Sequence, residues 1–368
     1  MGTAVRRLAR ALGIALAALI AALIVGESAL RVFDPETSYS PPTIRIGSEV
    51  RPLGDIVQVL TEAQGALGPR GANLECRVCY DRPRRDDFDA QGCVPVRTNS
   101  LGLRDAEILP EKPAGELRVL ALGDSFTFGL GVPGDAAWPE VLERLLAGER
   151  GGTPRVVNGG FAGGGFRPSG YLPWLESTGL TLEPDAIVLG FCLNDIHPRV
   201  PMAILSPPVV RPWLGGVSTL LNRVQRALHV RTHERELARL GPEVARRAMQ
   251  RFLVEDGEWA KTQAALSEME RLLGERGIPF LVAVFPMFSR LARDYPYATL
   301  HEAVTSYCAQ EQIPCLDLGP TFVALAERGV EDADFWVHPT DQHPASPAHG
   351  RIAAEILQAL KPLLAQRP

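Results

Sequence analysis

The most informative segment of the chain reads Arg118-Val-Leu-Ala-Leu-Gly-Asp-Ser-Phe-Thr-Phe-Gly-Leu-Gly131. Its first half is mostly apolar and favours a β-strand, which runs directly into a Gly-Asp turn. This arrangement would place Ser125 at the carboxyl end of a strand, where ligands bind in open α/β sheets. A serine hydroxyl is a weak nucleophile until a base accepts its proton, so the segment points to chemistry only if partners exist elsewhere in the chain.

Three later segments can supply such partners. Val156–Gly165 is a short apolar run that ends in Asn and glycines, whose backbone N–H groups can stabilise an oxyanion. Asp185–Asp195 reads as a buried strand that ends in Asn-Asp, and an Asn amide is a good oxyanion donor. Asp341-Gln-His343 could supply a general base and the carboxylate that orients it. Each segment alone is also typical of an ordinary loop or turn.

Together, the four segments resemble the sequence blocks of the SGNH (GDSL-type) esterase and lipase superfamily, in the same order and over roughly residues 116–368. The resemblance implies that Ser125 is the nucleophile, His343 the base and Asp341 its carboxylate partner. It also implies an oxyanion hole formed by the backbone N–H groups of Ser125 and Gly163 and by the Asn194 side chain. The expected reaction is acyl transfer through a covalent serine ester, with no metal and no organic cofactor.

The assignment of the carboxylate rests on an unusual spacing. Members of the superfamily often place it three residues before the base, where Thr340 stands in this chain, so Asp341 has to serve. His338, four residues after Asp334, is a rival for the base. Pro344 directly after His343 fits the superfamily pattern and favours His343.

The resemblance also implies the fold. We expect an α/β, three-layer α/β/α sandwich with a mostly parallel five-stranded sheet of the flavodoxin-like kind. The chain itself agrees, because strand and helix patterns alternate from residue 116 onwards. Strands are predicted at 117–122, 155–158, 185–190, 279–285 and 314–318, and helices at 138–147, at 258–275 and in the tail that follows Pro344.

The N-terminal 36 residues predict a membrane segment. Three arginines precede an uninterrupted apolar run of sixteen residues, Ala11–Gly26. A full span needs about 20 residues, which the run can reach by extending to Phe33 while Arg10 and Arg31 snorkel. We expect an uncleaved anchor with the arginines in the cytoplasm and the enzyme outside, in the periplasm or at the cell surface. A cleaved signal peptide is the alternative.

Residues 37–115 predict an irregular extracytoplasmic lead-in with a cysteine cluster. Cys76, Cys79 and Cys93 favour one disulfide with one thiol left over, as is common outside the cytoplasm. Half of a zinc site at Cys76-x-x-Cys79 is the alternative, although no second Cys/His pair lies nearby in the sequence. Asn99-Ser-Leu-Gly-Leu-Arg104 resembles a segment that precedes the SGNH domain in membrane-anchored bacterial members.

Residues 199–255 predict an insertion within the SGNH domain of residues 116–368. The insertion is rich in arginine with interleaved glutamates, which is typical of a solvated helical face. A lid or side wall over the site, in contact with anionic lipid headgroups, is the functional alternative.

Composition and net charge limit the classes of partner that we expect. The chain has 368 residues, of which 46% are hydrophobic and 22% charged, and its net charge of −5 gives no reason to expect nucleic acid. We expect a small-molecule, glycan or lipid ester as substrate and the membrane as a partner through the N-terminal helix; the sequence does not indicate an oligomeric state. Two other functions remain open: a polysaccharide O-acyltransferase with the same site, and a non-catalytic glycan-binding scaffold.

Overall fold

The structure is a computed structural model in which two compact units are distinguished. It describes residues 2–33, 39–56, 58–59, 71–83, 85–109, 111–150, 153–162, 167–201, 218, 220–221, 224, 228, 246–292 and 295–365. One unit comprises Met1–Pro41 with Ser206–Glu236, and the other comprises Pro42–Leu205 with Leu237–Pro368.

Both sheets and the short hairpin of the second unit are made from the following strands: β1 (Thr43–Ile46), β2 (Glu49–Pro52), β3 (Glu75–Cys79), β4 (Cys93–Arg97), β5 (Leu117–Gly123), β6 (Pro154–Gly160), β7 (Ala186–Phe191), β8 (Phe280–Val284), β9 (Cys315–Asp317), β10 (Trp336–His338) and β11 (Asp341–Pro344). The described helices are α1 (Gly2–Phe33), α2 (Ser125–Phe128), α3 (Trp138–Arg150), α4 (Pro168–Ser177), α5 (Glu258–Gly274), α6 (Ala298–Gln310), α7 (Gly319–Glu327) and α8 (Ser346–Ala365).

The central sheet has five parallel strands in the order β6-β5-β7-β8-β9. This is the flavodoxin-like order. The chain places β6 on one side of β5 and then adds β7, β8 and β9 on the other side. All residues of β7 and β8 are buried, as expected for parallel strands that are covered by helices on both faces. The predicted α/β/α sandwich is confirmed, and its sheet is parallel throughout.

The helices around the sheet are formed by amphipathic segments, and they confirm the predicted ones. Helix α3 packs against α8, and α4 packs against α5. In α8 one face is buried and includes Ile352, Ile356, Leu360 and Leu364, the spacing that places side chains on one side of a helix. The carboxyl ends of β5, β6 and β7 are in register, with Gly123 beside both Gly160 and Gly190.

The expectation that residues 37–115 form an irregular lead-in is wrong, because part of this segment forms a second sheet. Strands β1–β4 make a four-stranded antiparallel sheet in the order β2-β1-β3-β4. The strands are only four or five residues long, and Cys, Pro and Arg interrupt the usual β-favouring residues, so the period-two pattern was too short to recognise. Cys79 and Cys93 lie directly opposite each other on β3 and β4 and form a disulfide, while Cys76 remains a buried free thiol.

In the other unit, α1 is long and apolar enough to cross a membrane. The apolar part covers 29 residues, Val5–Phe33, and no residue of its most apolar window is buried. The helix extends beyond the sixteen-residue apolar run, and there Glu27 and Arg31 form an ion pair of 2.8 Å. Their spacing of four residues is favourable for an ion pair on a helix. The Glu27 carboxylate also accepts hydrogen bonds from Ser218 Oγ at 3.0 Å and from the Leu220 N–H at 2.9 Å.

The predicted insertion can be followed only at its two ends and at a few positions between them. Residues 202–217, 219, 222–223, 225–227 and 229–245 lie outside the described residues. The expected arginine-rich face and the alternative of a lid both fall largely on this part of the chain, so both stay predictions.

Candidate active site

Ser125 lies at the turn that follows β5. The backbone of Gly123 has a φ of +151°, and a Cβ at this position would lie 2.6 Å from the Gly190 carbonyl oxygen, so the turn requires glycine. Asp124 then caps the short helix α2, because its side chain accepts a hydrogen bond of 2.9 Å from the Phe126 N–H. The turn leaves Ser125 at the carboxyl edge of the central sheet, 9% exposed.

His343 and Asp341 reach Ser125 from the hairpin β10–β11. The distance between His343 Nε2 and Ser125 Oγ is 2.8 Å, and that between His343 Nδ1 and Asp341 Oδ1 is 2.5 Å. The two residues are two apart on β11, so their side chains emerge on the same face of the strand. Asp341 Oδ1 also accepts the backbone N–H of His343 at 3.1 Å. A spacing of two residues therefore suffices for the carboxylate to contact the imidazole.

The electrostatic surroundings favour a charged Asp341 beside a basic imidazole. Burial opposes the charge on both groups, but their mutual attraction outweighs it. The pKa of Asp341 is lowered to about 2 by the charge of His343 and by hydrogen bonds from His343 and Tyr80. The pKa of His343 is raised above its ordinary value, mainly by the Asp341 carboxylate.

His338, the rival base, has other partners. Its Nδ1 lies 2.7 Å from Thr340 Oγ1, and its Nε2 lies 2.9 Å from the backbone carbonyl oxygen of Asp81. The side chain is buried, which lowers the pKa of the imidazole. These two hydrogen bonds connect the β10–β11 turn to the segment after β3.

Asn194 is brought to the same edge of the sheet, whereas Gly163 lies outside the described residues. Asn194 belongs to a short 3-10 helix after β7, Leu193–Asp195. Its amide Nδ2 donates to Asp124 Oδ2 at 3.2 Å, which ties it to the turn that carries Ser125. Among the described residues its Oδ1 is buried without a hydrogen-bond partner. Burial raises the pKa of Asp124, although the Phe126 N–H and the Asn194 amide donate hydrogen bonds to its carboxylate.

Two residues of the lead-in contribute contacts that sequence reasoning missed. The Tyr80 hydroxyl donates a hydrogen bond of 2.6 Å to Asp341 Oδ2. The Arg104 guanidinium donates to the backbone carbonyls of Phe128, the last residue of α2, at 3.0 Å and of Val132, in the loop that follows, at 2.7 Å. Arg104 is fully buried, which lowers its pKa to about 10. The Asn99–Arg104 motif was a visible signal for Arg104, but no sequence pattern pointed to Tyr80.

The cysteine cluster does not form the alternative zinc site. Cys79 is oxidised in the disulfide with Cys93, so it cannot act as a thiolate ligand. Burial raises the pKa of the remaining Cys76 thiol to about 11, which disfavours the thiolate form. Within the described ranges, no group of His, Cys, Asp and Glu side chains is arranged to hold a metal ion.

Comparisons with solved structures find chains that align with about two thirds of this protein and share little sequence with it. The crystal structure of TesA is 20% identical and covers 67% of this chain and 99% of its own, with a TM-score of 0.40. An acetyl xylan esterase, AlAXEase, is 14% identical and covers 66% of this chain and 100% of its own, with a TM-score of 0.41. A two-domain esterase active on acetylated mannans is 15% identical and covers 69% of this chain and 51% of its own, with a TM-score of 0.42.

Sequence comparison identifies the family. No curated protein sequence matches the chain. A sequence model of the GDSL-like lipase/acylhydrolase family, however, matches residues 121–342, which is more than half of the chain and includes Ser125, Asn194 and Asp341. The chain therefore belongs to the GDSL-like lipase/acylhydrolase family and is an ester-cleaving hydrolase.

Proposed function

We propose that the protein is a serine esterase that works through a covalent acyl-enzyme formed on Ser125. The observation that carries this proposal is the continuous chain of contacts from Ser125 Oγ through both nitrogens of His343 to Asp341 Oδ1, with distances of 2.8 and 2.5 Å. A nucleophile, a base and a group that orients the base are the three parts that activate a serine hydroxyl.

In the proposed acylation step, Ser125 Oγ attacks the ester carbonyl carbon while His343 Nε2 accepts the hydroxyl proton. The bond to the leaving alcohol then breaks, and the imidazolium returns the proton to that alcohol. Water attacks the serine ester by the same route and releases the acid. Asp341 stabilises the imidazolium in both steps and keeps the Nδ1 proton facing its own carboxylate.

The negative charge on the carbonyl oxygen needs hydrogen-bond donors in the tetrahedral intermediate. We assign this role to the backbone N–H of Ser125, the amide of Asn194 and the backbone N–H of Gly163. The attachment of Asn194 to Asp124 supports the assignment, because it holds the amide at the turn that bears Ser125. Removing one donor of this kind typically costs about 10²–10³-fold in rate.

The substrate we propose is an ester on an extracytoplasmic lipid or acylated glycan. The support is α1, whose length and apolar surface suit a membrane anchor. If a sugar hydroxyl replaced water in the second step, the same site would transfer the acyl group to a glycan. A panel of acyl esters, with products analysed in the presence and absence of sugar acceptors, separates the two outcomes.

Fluorophosphonate labelling tests the serine mechanism directly. The probe should modify Ser125, as mapped by mass spectrometry of peptides, and the labelling rate should fall as the pH is lowered. Protonated His343 cannot accept the serine proton, and its pKa is raised by Asp341, so the midpoint should lie above about pH 6.5, the ordinary value for histidine. Labelling of a different residue, or a rate that does not depend on pH between 5 and 8, would contradict the mechanism.

A C-terminal alkaline phosphatase fusion tests the proposed location. Because Arg6, Arg7 and Arg10 precede the apolar helix, the positive-inside rule places the C-terminal side outside the cytoplasm, and the fusion should be active. Protein of full mass in the membrane fraction indicates an anchor, whereas soluble protein shortened by roughly 26–30 residues indicates a cleaved signal peptide. An inactive fusion would refute export.

A further inference from the structure

The phenol of Tyr80 connects the second sheet to the Ser125–His343–Asp341 site. We propose that Tyr80 is a positioning residue of this site, whose hydroxyl holds the Asp341 carboxylate and thereby tunes how strongly His343 binds a proton. The proposal rests on the serine mechanism above and adds a fourth member to its chain of hydrogen bonds.

The two carboxylate oxygens of Asp341 have separate partners. Oδ1 contacts the ring Nδ1 and the backbone N–H of His343, whereas Oδ2 accepts the Tyr80 hydroxyl at 2.6 Å. Tyr80 is 4% exposed and Asp341 is 8% exposed, so the phenol takes the place of solvent at Oδ2. A buried carboxylate that accepts hydrogen bonds at both oxygens is fixed in orientation as well as in charge.

Tyr80 itself is held by the second sheet. It directly follows Cys79, and its backbone N–H donates to the Gly92 carbonyl at 2.9 Å, one position beyond the disulfide. Its ring packs against Phe88 at 5.4 Å between centroids and against His338 at 5.3 Å. The backbone hydrogen bond and the two ring contacts together fix the position of the Tyr80 hydroxyl.

A small hydrophobic core joins this sheet to the loops of the active site. Val78 and Val94 of the sheet belong to the same buried cluster as Phe128 and Val132 after the Ser125 turn and Val337 before the His343 strand. The second sheet therefore packs against both segments that carry the proposed catalytic residues.

Gly131 provides the space for the Tyr80 hydroxyl. Its φ is +85°, and a Cβ at this position would lie 2.6 Å from Tyr80 Oη and 2.7 Å from a Val337 methyl. Any larger residue would thus collide with the phenol that contacts Asp341, in addition to the backbone strain.

The hydroxyl remains a donor across the working pH range. Burial and the neighbouring Asp341 charge raise the pKa of Tyr80 well above its ordinary value. A donor at Oδ2 stabilises the carboxylate without His343, so it weakens the preference for the imidazolium form. Among the described residues, the other charged or titratable groups that act on these residues are Arg104, Asp124, His338 and His349. They are the same in every variant below.

Tyr80→Phe tests the proposal by removing only the hydroxyl. Without this donor, Asp341 depends more on the positive imidazole, so the pKa of His343 should rise by about one unit. The titration is measured on the full chain in detergent by NMR of ring-labelled histidine, and the acid limb of kcat/KM for ester hydrolysis should move upward equally. Tyr307→Phe is the matched control, because its hydroxyl bonds Ser267 and the Gln263 carbonyl instead; its profile should coincide with that of the wild type.

A second variant should shift the pKa of His343 in the opposite direction, which a folding defect would not do. Replacing Tyr80 with 3,5-difluorotyrosine keeps the ring and strengthens the donor, so the pKa of His343 should fall. A purely structural role for Tyr80 would scale the activity without moving the titration. Unmoved titrations in both variants overturn the inference. An absence of esterase activity and serine labelling in the wild type would instead refute the proposed function, and the NMR measurement tells the two failures apart.

Discussion

Ser125→Ala should reduce kcat/KM for short-chain ester hydrolysis by at least about 10⁴-fold and abolish fluorophosphonate labelling. The substitution removes the atom that would form the acyl-enzyme, and the remaining donors can assist only a direct attack by water. The fold should persist, because the turn depends on Gly123 and on the Asp124 cap rather than on the serine hydroxyl. Circular dichroism and the thermal unfolding midpoint provide the check on structure.

Ser177→Ala is a suitable control for this experiment. Ser177 lies at the end of α4, where its hydroxyl makes a local hydrogen bond of 3.5 Å to the Trp174 carbonyl. The Ser177→Ala variant should retain the esterase activity of the wild type. Retention of activity in the folded Ser125→Ala variant would end the case for a serine nucleophile.

His343→Ala should also lower kcat/KM by about 10⁴-fold or more, since no other described group contacts Ser125 Oγ as a proton acceptor. His338→Ala should lose no more than about tenfold, because both nitrogens of its ring contact Thr340 and Asp81, whereas His343 contacts Ser125 Oγ. Both variants remove a mostly buried imidazole of the same hairpin, so the pair controls for packing. Steady-state kinetics on one ester at pH 8 makes the comparison; the opposite ranking would mean that the base has been misidentified.

The central sheet could be predicted because its signals are local. An apolar run such as that of β5 or β7 is buried on both faces, so hydrophobicity alone marks it. Ser125 and Asn194 then follow strands directly, and parallel strands bring their carboxyl ends to one edge. The match of Asp341 to a non-standard spacing was less apparent, because whether the carboxylate lies two or three positions before the base depends on the local geometry of β11.

Tyr80 could not be predicted, because its role depends on a contact between residues 261 positions apart. Nothing in Cys79-Tyr-Asp81 resembles a motif, and the strand before it is too short to be recognised by its pattern. Arg104 was indicated only by the resemblance of the Asn99–Arg104 segment, because a buried guanidinium that binds backbone carbonyls produces no periodic sequence pattern. Gly163 remains a prediction from the sequence.

The α/β sandwich of this chain does not contain every residue that contacts the proposed site. The family match spans residues 121–342 and stops one residue before His343, while Tyr80 and Arg104 lie upstream of it. A chimera that received only the matched span would inherit Ser125 without its imidazole partner and without the phenol and guanidinium that support the site. We therefore expect a transferable segment to need β3 and β4 upstream and the β10–β11 hairpin downstream in order to keep these contacts.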